Sequence, residues 1–323
     1  MITHRQRLEA CLSNQVLDHP PVALWRHFPV DDQTPMGLAN AVLAFQRSYD
    51  FDLVKVTPAS SYCLKDWGAG DEWRGSSEGT RDYTQRVIRH PEDWAALPLL
   101  DPQHGHLAAE LEALRLIRSA IGPDTPILQT IFNPLSQAKN LVGGSELLVH
   151  MRQNPDALHQ GLAIIAESTR RFIEASRQVG IDGIFFAVQH AQYGLLSQDE
   201  FARFGRAYDL PLLEPAREMA YRLLHLHGLD VMFDQVADYP VNMINWHDRE
   251  TAPSLSGGLQ RFSGVVCGGV NRHTLVYGTP DQVRAEALEA LQATNGQRFM
   301  LGTGCVTPVI TPHGNLLAVR QAL

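Results

Sequence analysis

Apolar positions along the chain fall into two alternating rhythms. Short runs rich in Val, Ile, Leu and Phe, bounded by Gly, Pro, Asp or Asn, have the length and composition of buried strands. Longer stretches between them carry the three-to-four-residue apolar spacing of amphipathic helices. Eight runs read as strands: Pro21 to Trp25, Asp52 to Val56, Pro126 to Ile131, Gly183 to Val188, Leu223 to His227, Val241 to Trp246, Gly264 to Gly268 and Arg298 to Gly302. Helical spacing covers Gly105 to Ile121, Pro155 to Val179, Gln198 to Arg222, Pro280 to Ala293 and Pro312 to Ala322. Two of these helices open on a capping side chain followed by proline, Asn154 before Pro155 and Thr279 before Pro280, which pre-sets the first turn. Strands alternating with helices in this way are the pattern of βα units on a parallel sheet. The expected fold class is therefore α/β, a (β/α)8 TIM barrel.

The rhythm breaks once. Pro58 to Gln103, between the second and third candidate strands, is a long insertion rich in Gly, Trp, Asp and Ser. On the catalytic side of a barrel such a segment serves as a lid or wall. The chain has 323 residues, 44% of them hydrophobic and 19% charged, ample for a large core. Barrels of this size fold as one unit, so residues 1–323 are expected to form a single domain.

Charge and cysteine usage narrow the function. A net charge of -8 without a basic stripe argues against a nucleic-acid partner, whose phosphates need clustered Lys and Arg. The longest apolar stretches fall short of a bilayer span, and the opening Met-Ile-Thr-His-Arg-Gln-Arg-Leu lacks the apolar core of a signal peptide. The expectation is a cytoplasmic protein with no membrane contact. Cys11, Cys63, Cys267 and Cys305 are too few and too scattered for a disulfide framework and read as free thiols.

The chemistry concentrates where strands end, as barrel active sites do. His225 and His227 close the run Tyr221-Arg-Leu-Leu-His-Leu-His-Gly228. On a strand, residues i and i+2 face the same side, so both imidazoles look into one space, an arrangement that is costly unless something satisfies them. Cys305 closes the run Phe299-Met-Leu-Gly-Thr-Gly-Cys305 in the same manner. A thiolate facing two imidazoles makes a three-ligand set of the kind catalytic zinc uses with its fourth position open. Around it stand Arg26, an ion-pair or anion-clamp residue, and Gln189, His190, Tyr193 and His247, expected to shape a substrate pocket. Singly placed histidines such as His27, His190, His247 and His273 also have a plain structural use as hydrogen-bonded groups, and Cys267 reads as a small barrel filler. Lys55 and Thr57 end the second candidate strand.

Several stretches resemble the uroporphyrinogen decarboxylase superfamily, in order and over nearly the whole chain. They are Arg5-Gln-Arg-Leu-Glu-Ala with Asp18-His-Pro-Pro-Val22, Trp67-Gly-Ala-Gly through Val87-Ile-Arg-His-Pro-Glu-Asp-Trp-Ala-Ala-Leu-Pro98, Leu195-Leu-Ser-Gln-Asp-Glu-Phe-Ala-Arg-Phe204, and Thr311-Pro-His-Gly-Asn315. The resemblance implies a (β/α)8 barrel and one of two activities. Metal-free decarboxylases of the superfamily carry two arginines and an aspartate near the first strand ends. Here Arg26 matches the first arginine, Val30 falls on the second, and the decarboxylase tyrosine and histidine fall on Asn140 and Thr303.

Zinc methyltransferases of the superfamily, which move a methyl group between a corrinoid protein and a thiol, carry His-x-Cys after strand five and Gly-Cys after strand eight. His225 and Cys305 match the outer ligands, and His227 replaces the middle cysteine. One thiolate in place of two leaves a zinc complex with a net charge of about +1 instead of 0, a stronger Lewis acid. A thiol bound there has a lower pKa and gives a weaker nucleophile. The resemblance thus implies a methyltransferase using zinc and a corrinoid carried by a partner protein. Decarboxylation of a uroporphyrinogen or related tetrapyrrole is one alternative, and a non-catalytic tetrapyrrole- or corrinoid-binding barrel is another. Family members include dimers, which leaves a homodimer open.

Overall fold

The computed structural model describes residues 2–323. Its centre is a parallel sheet of seven strands: β1 Val54–Val56, β4 Ile127–Phe132, β5 Gly183–Val188, β6 Tyr221–Leu226, β7 Met243–Trp246, β8 Val265–Val270 and β9 Phe299–Thr303. They lie side by side in that order, every pair parallel. β2 Gly70–Glu72 and β3 Asp82–Gln85 form a separate antiparallel hairpin within residues 58–103, the segment expected as an insertion.

Pro21 to Trp25, the first expected strand, is extended and bonds on both sides. Leu301 N donates to Pro21 O at 2.8 Å, and Ala23 N donates to Leu301 O at 2.9 Å, so the segment pairs with β9. On its other side Asp52 N donates to Val22 O at 2.9 Å, just before β1. Of the eight expected strands, seven are therefore regular, and this one is a single parallel bridge, Val22 to Leu301.

Both faces of the strands are buried, as a parallel sheet covered by helices requires. Successive residues divide between two clusters. Phe185, Leu223, Met243, Val265 and Met300 face an inner cluster that also takes Trp25, Cys267 and Cys305. Their neighbours Phe186, Leu224, Ile244, Val266 and Leu301 join the larger cluster under the helices. Each such side chain, fully withdrawn from water, contributes about 1.5–3 kcal/mol. Leu8 and Cys11, from the helix His4–Leu12, belong to the inner cluster. The same alternation puts His225, Asn245 and Cys267, each two residues beyond an inner-face position, on the inner side.

Three helices nearly match their expected bounds, at Gly105–Ala120, Pro155–Gln178 and Pro280–Thr294, and the last expected helix is trimmed to His313–Arg320. Thr279 makes a full capping box, whereas Asn154 occupies the cap position without a side-chain bond. The helix expected from Gln198 to Arg222 is a correction. It runs as a turn of α-helix, a π segment and Ala207–Leu213, then a short tight turn Pro215–Glu218, and β6 begins at Tyr221. Pro211 and Pro215 lack the N–H a continuing helix needs.

Candidate metal centre

The site grows from the register of three adjacent strands. His225 on β6 pairs with Asn245 on β7, which pairs with Cys267 on β8. His227 lies one residue past the end of β6 and His247 one residue past β7, so each repeats the i, i+2 step from an inner-face residue. Two glycines let the chain come close here. Gly228 turns the backbone after His227 at φ +103. At Gly304, beyond β9, a Cβ would lie 2.7 Å from the His247 Cα, so only glycine lets Cys305 draw up against the imidazoles.

The result is four potential ligand atoms, from His225, His227, His247 and Cys305, all within 4.8 Å of one another. Cys305 Sγ lies 3.6 Å from His225 Nε2 and 3.6 Å from His227 Nδ1. The three imidazole rings pack with centroids 5.0 to 5.9 Å apart, and His225 also stacks on Phe185 at 5.3 Å. Neither ring nitrogen of His247 has a hydrogen-bond partner, although the ring is buried. Glu250 Oε1 approaches His247 Nδ1 at 3.5 Å, an electrostatic contact longer than a hydrogen bond. Glu250 in turn pairs with Arg272, and Arg272 with Glu78 at 2.6 Å.

The protonation pattern follows from burial and neighbours. Burial pushes the Cys305 thiol up, but His225, His227 and His247 outweigh it and hold the thiol well below its ordinary value. Burial lowers His227 while Cys305 raises it, and the cysteine wins. For His225 burial wins, and its imidazole titrates lower than usual. His225 Nδ1 stands 2.7 Å from Asn245 Oδ1.

In front of the cluster is a cavity of about 70 Å³. Trp25, Phe132, Phe185, Ala187 and Val306 give it apolar walls, His27 and Gln189 stand at its side, and Ser60, Glu78 and Thr80 reach it from the insertion. Lys55 lines it too, its Nζ 4.4 Å from the Phe185 ring centroid and 3.1 Å from Thr57 Oγ1. Burial lowers the Lys55 amine to about 7, against the opposing pull of Cys305. Burial likewise lowers His27 to about 3, and its Nδ1 faces Pro58 O at 3.1 Å.

The sequence-derived residues divide accordingly. His225, His227 and Cys305 meet, and His247, expected only at the pocket wall, joins them as a fourth donor. Gln189 lines the cavity with its Oε1 unpaired. Arg26 does not line it. Trp25 and His27 take the inner side, and strand alternation turns Arg26 outward over the Phe28 and Phe45 rings, at 5.1 and 5.7 Å. His190 is buried outside the cavity lining with Nδ1 unpaired, its pKa lowered by burial to about 3. Tyr193 is 44% exposed, its hydroxyl held by Gln198 at 3.0 Å. Ser60, Glu78 and Thr80 escaped the sequence reading, and Asn245, at the end of the sixth expected strand, received no role in it. For Asn245 a signal existed, since Asn245 and His247 repeat the spacing of His225 and His227. No periodicity marks the insertion residues.

Residues 3–323 match the family model described as uroporphyrinogen decarboxylase (URO-D). A methylcobamide:CoM methyltransferase MtaA of Methanosarcina barkeri is 26% identical over 253 residues, covering 76% of this chain and 72% of the relative. A methylcobamide:CoM methyltransferase MtbA of Methanosarcina acetivorans is 21% identical over 97% of this chain and 95% of its own length. A uroporphyrinogen decarboxylase of Rhodococcus opacus is 30% identical, over 39% of this chain and 36% of its own. Among solved structures, a methyltransferase from Methanosarcina mazei superposes with a TM-score of 0.87 at 23% identity, over 100% of this chain and 98% of that one. With its model spanning residues 3–323, the family is established: this chain belongs to the uroporphyrinogen decarboxylase (URO-D) family.

Proposed function

We propose that this protein is a zinc-dependent methyltransferase, moving a methyl group between a corrinoid carried by a partner protein and a small acceptor activated at His225, His227 and Cys305. One observation carries the reading. Asn245 takes the proton side of His225, so His225 Nε2 turns a lone pair toward Cys305 Sγ at 3.6 Å, inside a buried group whose four donor atoms lie within 4.8 Å of one another. Two lone pairs facing each other in a buried site call for a cation between them. His227 and the unpaired nitrogens of His247 supply further donors, and His3Cys is a donor set that suits zinc. Zinc held there would act as a Lewis acid that lowers the pKa of a coordinated acceptor such as a thiol.

The chain's own residues do the rest. Trp25, Phe132 and Phe185 keep the acceptor's surroundings dry, Lys55 offers an amine that can take or give a proton near neutral pH, and Gln189 offers an amide. A cavity of about 70 Å³ suits a small acceptor and lies well below the ~300–1,000 Å³ of pockets for larger ligands. With Arg26 turned outward, a tetrapyrrole carboxylate finds no clamp there, so decarboxylation has less support.

We read the sheet as a closed (β/α)8 barrel within a single domain, Pro21 to Trp25 serving as the eighth strand between β9 and β1. Residues 58–103 form its lid, a role supported by Ser60, Glu78 and Thr80 at the cavity and by the Glu78 to Arg272 ion pair. The four cysteines are all buried and free, which suits the cytoplasm.

Two measurements test the proposal. Elemental analysis of purified protein should find one zinc per chain. Incubation with methylcobalamin and a small thiol should yield the methyl thioether and cob(I)alamin in equal amounts. Protein without stoichiometric metal, or zinc-loaded protein that releases CO2 from uroporphyrinogen and transfers no methyl group, would overturn it.

A further inference from the structure

We propose that Asn245 is a positioning residue for the metal centre. Its side-chain amide locks His225 in the tautomer that leaves Nε2 free to ligate, and it ties together the strand ends that carry the ligands. The inference rests on the metal-centre reading and extends it to a residue that is itself no ligand.

Asn245 is fully buried on β7, in register with His225 on one side and Cys267 on the other. Its amide has two N–H donors and one carbonyl oxygen. Both donors are used: Nδ2 reaches Cys267 O at 2.9 Å and Thr303 O at 3.0 Å. The flipped amide would aim its oxygen at two carbonyl oxygens and make neither bond, so the orientation is decided by the network. Oδ1 then faces His225 Nδ1 at 2.7 Å and can only accept, which places the imidazole proton on Nδ1. That is the arrangement in which an outer partner orients a metal-binding histidine.

Without this lock the proton has a competing home. Protonated at Nε2, His225 would donate to Cys305 across the same 3.6 Å gap and satisfy both groups with no metal. Asn245 removes that self-satisfied state. Its reach is also mechanical, because Thr303 ends β9 two residues before Cys305, and Asn245 itself lies two residues before His247. One amide therefore bridges β6, β7, β8 and β9 beside all four donors.

The tautomer can be read in the metal-free wild type by 15N-resolved NMR of histidine side chains, the His225 signals being assigned by their loss in His225→Gln. Protonated Nδ1 is expected, and protonated Nε2 would overturn the proposal. Zinc titration of the apo protein against a chromophoric chelator gives the second readout. Asn245→Leu should weaken zinc binding about 10- to 100-fold. Asn245→Asp, which keeps an acceptor facing His225 but loses both bonds donated to Cys267 O and Thr303 O, should recover only part of the affinity. Wild-type affinity in Asn245→Leu overturns the proposal. If Asn245→Leu does not fold, the tautomer in the wild type still decides. A wild type that binds no zinc sinks the metal reading alone, and the tautomer again decides whether Asn245 is the lock.

Discussion

In the proposed zinc centre His227 would supply a neutral ligand where the resemblance to the zinc methyltransferases of the superfamily implies a charged cysteine. Returning the thiolate with His227→Cys brings the zinc complex from about +1 to about 0, which raises zinc affinity and weakens the Lewis acid. Chelator competition should therefore show tighter zinc in His227→Cys, while a thiol bound at the metal titrates at higher pH, followed by the absorbance of the cobalt-substituted protein. Cys305→Ala removes the only anionic donor of the cluster and should abolish stoichiometric zinc with little change in far-ultraviolet circular dichroism. At this scale the sequence was informative wherever strand alternation fixes a direction. The pair His225 and His227 could be read from i, i+2 spacing, and Cys305 from its place after an apolar run. His247 obeys the same alternation, but a lone histidine carries no partner in sequence to reveal a shared space. Arg26 shows the converse, since its neighbours Trp25 and His27 claim the inner face and leave it the outer one.

At the scale of elements, the strands were legible because each is buried on both faces and so forms a continuous apolar run bounded by turn residues. The run Gln198 to Arg222 misled for a physical reason: its apolar spacing is helical, yet Pro211 and Pro215 interrupt the hydrogen bonds and free Tyr221 to start β6. The segment Pro21 to Trp25 is held by Asp52, whose carboxylate accepts from Val22 N, Arg7 and His4, each at 2.8 Å. Burial pushes the Asp52 carboxyl up, but these donors outweigh it and hold it below its ordinary 3.8. Its contribution is thus present above pH 3.8 and is lost as pH falls through the lowered folded value. Asp52→Asn leaves Arg7 partly uncompensated and should cost about 3–5 kcal/mol in urea unfolding at pH 7. Glu110, on the helix Gly105–Ala120, has the opposite sign. Burial and Asp32 raise it from 4.5 to about 8, so the folded state holds a proton that the unfolded state loses between those values. Stability should fall by about 1.4 kcal/mol per pH unit across that window. In Glu110→Gln that slope should flatten, and a slope unchanged by the substitution would count against a buried neutral carboxyl.

For the molecule as a whole, the donors of the centre come from positions 225, 227, 247 and 305, on or just beyond β6, β7 and β9. A metal shared among them would link strand ends that the chain visits over some eighty residues, and no comparable site exists in the unfolded chain. Binding free energy is therefore folding free energy. Zinc at about one hundred times its dissociation constant adds about 2.7 kcal/mol, which for a chain of this size raises the unfolding midpoint by a few degrees. Scanning calorimetry of the metal-free protein with and without zinc should show that rise in the wild type and none in Cys305→Ala. Protons compete for the same donors, since thiolate and neutral imidazole are the ligating forms, so the increment should shrink as the solution is acidified below neutrality. An equal rise in the wild type and in Cys305→Ala would place zinc elsewhere on the protein and separate its effect from the buried cluster beneath the insertion.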